Sequence, residues 1–139
     1  MSVLIRPAAP VDAVALAGLW DDAARECAQH RGGSVLLDEL RAGRDDATTL
    51  RDALRAGELI VAVIHDVPVG FAWCRGGLIA ALYVARVERR LGYARALVTE
   101  LLTGPHAPID GYALPGDRAT KSLYESIGWK ARLLTMRAG

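Results

Sequence analysis

The chain has 139 residues, 52% of them hydrophobic and 24% charged, which suits one globular domain burying roughly two-thirds of its unfolded surface and excludes a disordered segment. A net charge of +1 argues against a general nucleic-acid binder, which would carry a broad basic face, and no apolar run approaches the ~18 residues of a membrane span. Two isolated cysteines, Cys27 and Cys74, make neither a disulfide framework nor a metal site, and with no charged-then-apolar leader a cytoplasmic location is expected.

Residues 3–6 read as a short strand stopped by Pro7, and Pro10 opens a helical pattern with Asp12 in its first turn. Leu16, Leu19, Trp20, Ala23 and Cys27 form one stripe that should face the core, and Gly32-Gly33 ends the unit. Residues 34–44 read as a shorter helical or irregular piece. Residues 45–56 follow as a helix with Leu50 and Leu54 inward and Gly57 as its stop.

Residues 59–64 and 68–74 are β-branched and aromatic runs joined by His65-Asp66-Val67, an antiparallel hairpin. After a glycine turn, residues 78–84 are apolar throughout, the pattern of a strand buried on both faces. The next helix carries Leu91, Ala94, Leu97, Val98 and Leu101 on one stripe and ends at Gly104-Pro105. Residues 108–114 read as a modest strand. Asp117 then caps a helix with Thr120, Leu123, Tyr124 and Ile127 inward and Gly128 as its stop, and residues 129–137 alternate as a last half-exposed strand. The order β-α-(α)-β-β-β-α-β-α-β shows no repeat and no linker. It implies a single α/β domain over 1–139, a mixed sheet flanked by helices, with a right-handed parallel crossover around residues 78–114.

The turn after the central strand holds Arg86, Arg89, Arg90 and Arg95 against the single Glu88. A glycine-containing turn at a helix start presents free N–H groups and the positive end of the helix dipole, so an anion site is expected there. Neither G-x-x-x-x-G-K-[ST] nor a strand followed by G-x-G-x-x-G occurs.

The segment Arg89-Arg90-Leu91-Gly92-Tyr93-Ala94 resembles the (Q/R)-x-x-G-x-(G/A) pyrophosphate loop of the GCN5-related N-acetyltransferase (GNAT) superfamily. Residues 117–129 resemble that family's N-x-x-A-x-x-L-Y-x-x-x-G-(F/W): Leu123-Tyr124, Gly128 and Trp129 match, while Asp117 and Thr120 replace asparagine and alanine. The resemblance implies acetyl-CoA as co-substrate, without a metal. It implies that the backbone of residues 89–94 holds the pyrophosphate, with charge from Arg89 and Arg90 and with Gly92 bare for close approach. Leu82, Tyr83 and Val84 would offer their backbone to the pantetheine arm, Asp117 joins the cofactor-binding set, and Tyr124 would protonate the departing thiolate. Residues 30–45 would line the acceptor pocket. Arg90 stands where the family often has glycine.

The family's frequent glutamate near the start of the fourth strand is Leu78 here. The general base is then absent, replaced by ordered water, or borrowed from Glu39, Asp110, His106 or His30. Without a base a low-pKa amine is the easier acceptor, since a lysine-like amine costs ~4.6 kcal/mol to deprotonate at pH 7 and an α-amine about 1. The resemblance implies an N-acetyltransferase working by direct attack on a small-molecule amine or a protein N-terminus. Asp38, Glu39, Asp45 and Asp46 favour a cationic acceptor. The alternative is a non-catalytic acyl-CoA-binding or regulatory domain, and a homodimer stays open.

Overall fold

The computed structural model describes residues 2–138. In chain order the elements are β1 (Leu4–Pro7), α1 (Ala13–Ala28), α2 (Gly33–Arg41), α3 (Asp46–Arg55), β2 (Leu59–Ile64), β3 (Val67–Arg75), β4 (Leu78–Val84), α4 (Tyr93–Thr103), β5 (Asp110–Gly111) and α5 (Arg118–Ser126). Short 3-10 turns precede α1 and α4, at Pro10–Asp12 and Arg86–Glu88. The five strands lie in the order β1-β2-β3-β4-β5, antiparallel up to β4, with β5 parallel to β4. This is the mixed α/β sheet flanked by helices that the pattern implies.

The apolar stripes decide the layers. Leu16, Leu19 and Trp20 of α1 join Leu37, Leu40, Leu50 and Ala53 against Leu59, Val61, Phe71 and Trp73 on one face of the sheet. Leu97 of α4 packs with Ala62, Val69, Ala72 and Val84 on the other, and α5 closes that side with Tyr124 against Ile79 and Val98. Trp20 is edge-on to Trp73 at 5.9 Å between centroids, an arrangement that aromatic quadrupoles favour.

Several expectations change. Residues 129–138 form no strand, and Leu133 and Met136 are 88% and 82% exposed. Residues 108–114 shrink to the two-residue β5. The two losses share a cause, because a strand needs a neighbour for its N–H and C=O groups, and a two-residue edge gives the alternating segment almost nothing to pair with. Leu91 lies ahead of α4, 59% exposed, and takes no part in its buried stripe. Residues 34–44 resolve to a regular helix, α2, which begins at Gly33. Ala81, Leu82 and Tyr83 are only half-buried although their run is apolar, because nothing pairs beyond Ile79 on that edge.

Arg6 and Asp12 fasten β1 to the start of α1. The Asp12 carboxylate, 3% exposed, accepts from Arg6 at 2.7 and 2.9 Å and from the Ala9 N–H at 2.7 Å. The Arg6 hydrogen bond, more than offsetting burial, holds this carboxyl below the usual carboxylate range. A depressed folded-state pKa contributes stability that is fully present above the unfolded value, ~3.9, and is lost as pH falls toward the folded one. Denaturant titrations should therefore show wild type losing stability below about pH 4 more steeply than Asp12→Asn. At pH 7 the variant should be less stable by about 2 kcal/mol; parallel pH profiles would contradict this account.

Candidate active site

The ladder between β4 and β5 has two residue pairs, Leu78↔Asp110 and Ile79↔Gly111, extended by one bond from the Tyr112 N–H to the Ile79 carbonyl at 3.0 Å. On its other edge β4 carries a bulge. Cys74 faces Ile79 and Trp73 faces Ala81, so Ala80 is the extra residue. A bulge bends and twists its strand, and pairing with β5 ends where the bulge begins. From Ala80 onward β4 leaves β5, and a cleft of about 770 Å³ opens. Its walls are the free edge of β4 with Leu82, Tyr83 and Val84, the end of α1 with Glu26 and His30, Tyr112 after β5, and Asp117, Thr120 and Leu123 of the α5 segment. The turn from Arg89 to Arg95 closes one end.

That turn is built for an anion. Arg90 and Gly92 both adopt left-handed backbone, at φ 66° and 86°. An arginine thus holds the conformation that glycine supplies more cheaply, at a cost of about 1 kcal/mol or more. Among the described residues no acceptor takes the N–H groups of residues 90–95; the first bond of α4 is from the Ala96 N–H to the Gly92 carbonyl, 3.0 Å. Unpaired donors, a helix N-terminus and one open wall make a cradle for a phosphate group. A Cβ built on Gly92 would meet nothing within 4 Å, so the glycine answers to its φ and leaves the approach clear.

The arginines divide their work. Arg89 sends Nε to the Val84 carbonyl at 2.9 Å and one terminal nitrogen to Glu26 Oε2 at 2.6 Å, with its guanidinium 5.3 Å above the Tyr83 ring. It ties the turn to β4 and α1, although its side chain still borders the cleft. Arg95 reaches Ser126 Oγ at 2.6 Å and joins α4 to α5. Arg90 has no ion pair among the described residues and stays exposed, the basic group most available to a ligand. Asp117 sits in the wall, but its carboxylate is spent on the Thr120 N–H at 3.2 Å and hydroxyl at 2.8 Å as the α5 cap.

Tyr124 is 6% exposed, stacked on Trp129 with centroids 5.1 Å apart, and among the described residues its hydroxyl has no hydrogen-bond partner. Burial pushes its ionisation well above the usual tyrosine range, so it stays a protonated donor. The ring lies against Gly111: a Cβ there would stand 2.6 Å from Tyr124 Cζ and 2.8 Å from its oxygen. Gly111 therefore admits the hydroxyl to the end of the β4–β5 ladder. The residue did not stand out in the sequence, where one glycine in a weak strand has no distinguishing neighbour. Tyr112 was missed as well; its hydroxyl meets Glu39 Oε1 at 3.4 Å across the cleft rim.

No family model and no curated protein matches the chain. Solved structures do. The chain is similar, over 95% of its length and 92% of the other's, to the PaiA N-acetyltransferase of Thermoplasma acidophilum in complex with coenzyme A, with TM-score 0.70 and 14% identity. A ribosomal-protein-alanine N-acetyltransferase of Brucella melitensis biovar Abortus 2308 aligns over 99% and 100% of the two chains, with TM-score 0.68 and 20% identity. The apo form of YjaB from Escherichia coli aligns over 94% and 84%, with TM-score 0.57 and 28% identity. The chain has the GNAT acetyltransferase fold.

Two substitutions isolate the Tyr124 hydroxyl. Tyr124→Phe removes a buried unpaired group and should raise stability by roughly 1 kcal/mol. Gly111→Ala should lower it by about 1–3 kcal/mol through overpacking against the ring. Denaturant midpoints check both, and a destabilised Phe variant would mean the hydroxyl has a partner in solution.

Proposed function

We propose that the chain is an acetyl-CoA-dependent N-acetyltransferase that acetylates a primary amine by direct attack on the thioester. The observation that carries this reading is one cleft holding both a free strand edge and a turn of unpaired N–H groups; the Tyr124 hydroxyl, buried where the ladder ends, does not itself border that cleft. Neighbours of the same fold named as N-acetyltransferases, one in complex with coenzyme A, support it. The thioester, when bound, supplies an activated acetyl group; everything else is the work of the chain.

The N–H groups of residues 90–95 hold the pyrophosphate, with Arg90 adding charge, while Arg89 fixes the turn through Glu26 and Val84. The edge of Leu82, Tyr83 and Val84 offers its backbone to the amide-bearing arm, as an open strand does to an extended peptide. An arm held there would run beside β4, with Ala80 in the wall beyond Leu82. Tyr124, protonated and unpaired, is the donor for the departing thiolate. The walls of α1 and α2 leave the opposite side of the cleft to the acceptor. Leu78, an apolar side chain packed against the core, favours a second reading, a non-catalytic acyl-CoA-binding domain.

Isothermal titration with acetyl-CoA, followed by a panel of amines assayed for CoA release, tests the first reading and separates it from the second. Gly92→Val should abolish measurable acetyl-CoA binding in a folded protein, since a β-branched residue resists φ 86° and would project into the cradle. Tyr124→Phe should lower turnover at least ~10²-fold with little change in acetyl-CoA affinity. Full turnover in the Phe variant would return the residue to a packing role.

A further inference from the structure

The bases left open by the sequence now have positions. Asp110 and His106 do not border the cleft, and Glu39 meets the Tyr112 hydroxyl at its rim. Of the carboxylates in the wall, Glu26 is bound by Arg89, which holds its carboxyl below the usual range, Asp117 is bound by Thr120, and Glu88 belongs to the 3-10 turn leading into Arg89, at the end of the cleft that the arginine turn closes. His30 also lines the cleft, and among the described residues its ring makes no hydrogen bond.

Its backbone is fixed at both ends. The His30 N–H donates to the Cys27 carbonyl at 3.0 Å, and its carbonyl accepts from the Gly33 N–H at 3.0 Å. The ring's Nδ1 lies 3.8 Å from where a Cβ on Gly116, in the turn before α5, would stand. Four residues earlier, near the end of α1, Glu26 adds a carboxylate to the same wall. Glu26 and Cys27 of α1, Tyr83 of β4, Glu88, Arg89, Arg90, Tyr93 and Arg95 of the turn and the start of α4, and Tyr112 and Asp117 on the side of α5 are the ionisable groups that line this cleft with His30.

We propose that His30 is the general base that takes the proton of the acceptor amine, the role a carboxylate at Leu78 would otherwise fill. The inference rests on the transferase reading above. The amine nitrogen bonds to the thioester carbonyl carbon as the carbon–sulfur bond breaks. The amine proton goes to the His30 ring, the thiolate takes a proton from Tyr124 and leaves as the free thiol of CoA, and solvent restores both residues.

The test compares wild type, His30→Gln and His30→Ala at pH 7, with CoA release measured for two nucleophiles. One is the best alkylamine of the panel, charged in solution, and the other is hydroxylamine, which is already neutral. Both variants should lose about 10²-fold with the alkylamine and little with hydroxylamine, keep their acetyl-CoA affinity by titration, and, for His30→Ala, recover with added imidazole. Equal losses with both nucleophiles, or no loss, would overturn the assignment while leaving the transferase reading intact. A wild-type protein that binds acetyl-CoA yet releases CoA with no amine would overturn the transferase reading and the base together.

Discussion

Everything about the cleft depends on a ladder that stops early. A strand in the middle of a sheet normally satisfies its backbone groups on both edges, and β4 does so only through Ile79. The bulge at Ala80 supplies the bend, the two-residue β5 supplies the gap, and a bare Gly111 lets an aromatic ring stand where the strands separate. Had β5 run on beside β4, the apolar edge would be closed and the turn at Arg90 would face solvent alone.

Electrostatics reinforces the same geometry without a large charge. Arg89 works inward, reaching Glu26 across 63 positions of sequence and the Val84 carbonyl nearby, and so fixes the turn to both β4 and α1. Its neighbour Arg90 works outward. One arginine sets the shape and the next presents charge, so a chain of net charge +1 still concentrates positive potential at one cleft end.

Much of this was legible in the residues. β2, β3 and β4 follow from β-branched runs and short turns, and Asp117 caps α5 as its position suggests. The start of α4 after Gly92 was legible because a glycine precedes an apolar helical stripe. What could not be read depends on distant partners. The bulge falls inside the unbroken apolar run Ile79-Ala80-Ala81-Leu82, where nothing local marks the extra residue. The Glu26–Arg89 pair and the Gly111–Tyr124 contact join residues with no local signal between them. The alternation of residues 129–137 misled because a period of two records which side chains could face a core, and says nothing about whether a neighbouring strand exists.

The same short β5 also determines how cohesion is distributed. β2, β3 and β4 form a continuous meander between two apolar layers, whereas β5 and α5 hang on two residue pairs, the Tyr124 contacts and the Arg95–Ser126 link. Proteins open in cooperative units whose free energies follow such contacts. The half carrying Tyr112, Asp117 and Tyr124 is then the first to let its amides exchange with solvent, while the meander opens only with the whole molecule. One wall of the cleft is a firm template and the other a loosely hinged flap, so the space between them breathes from one side.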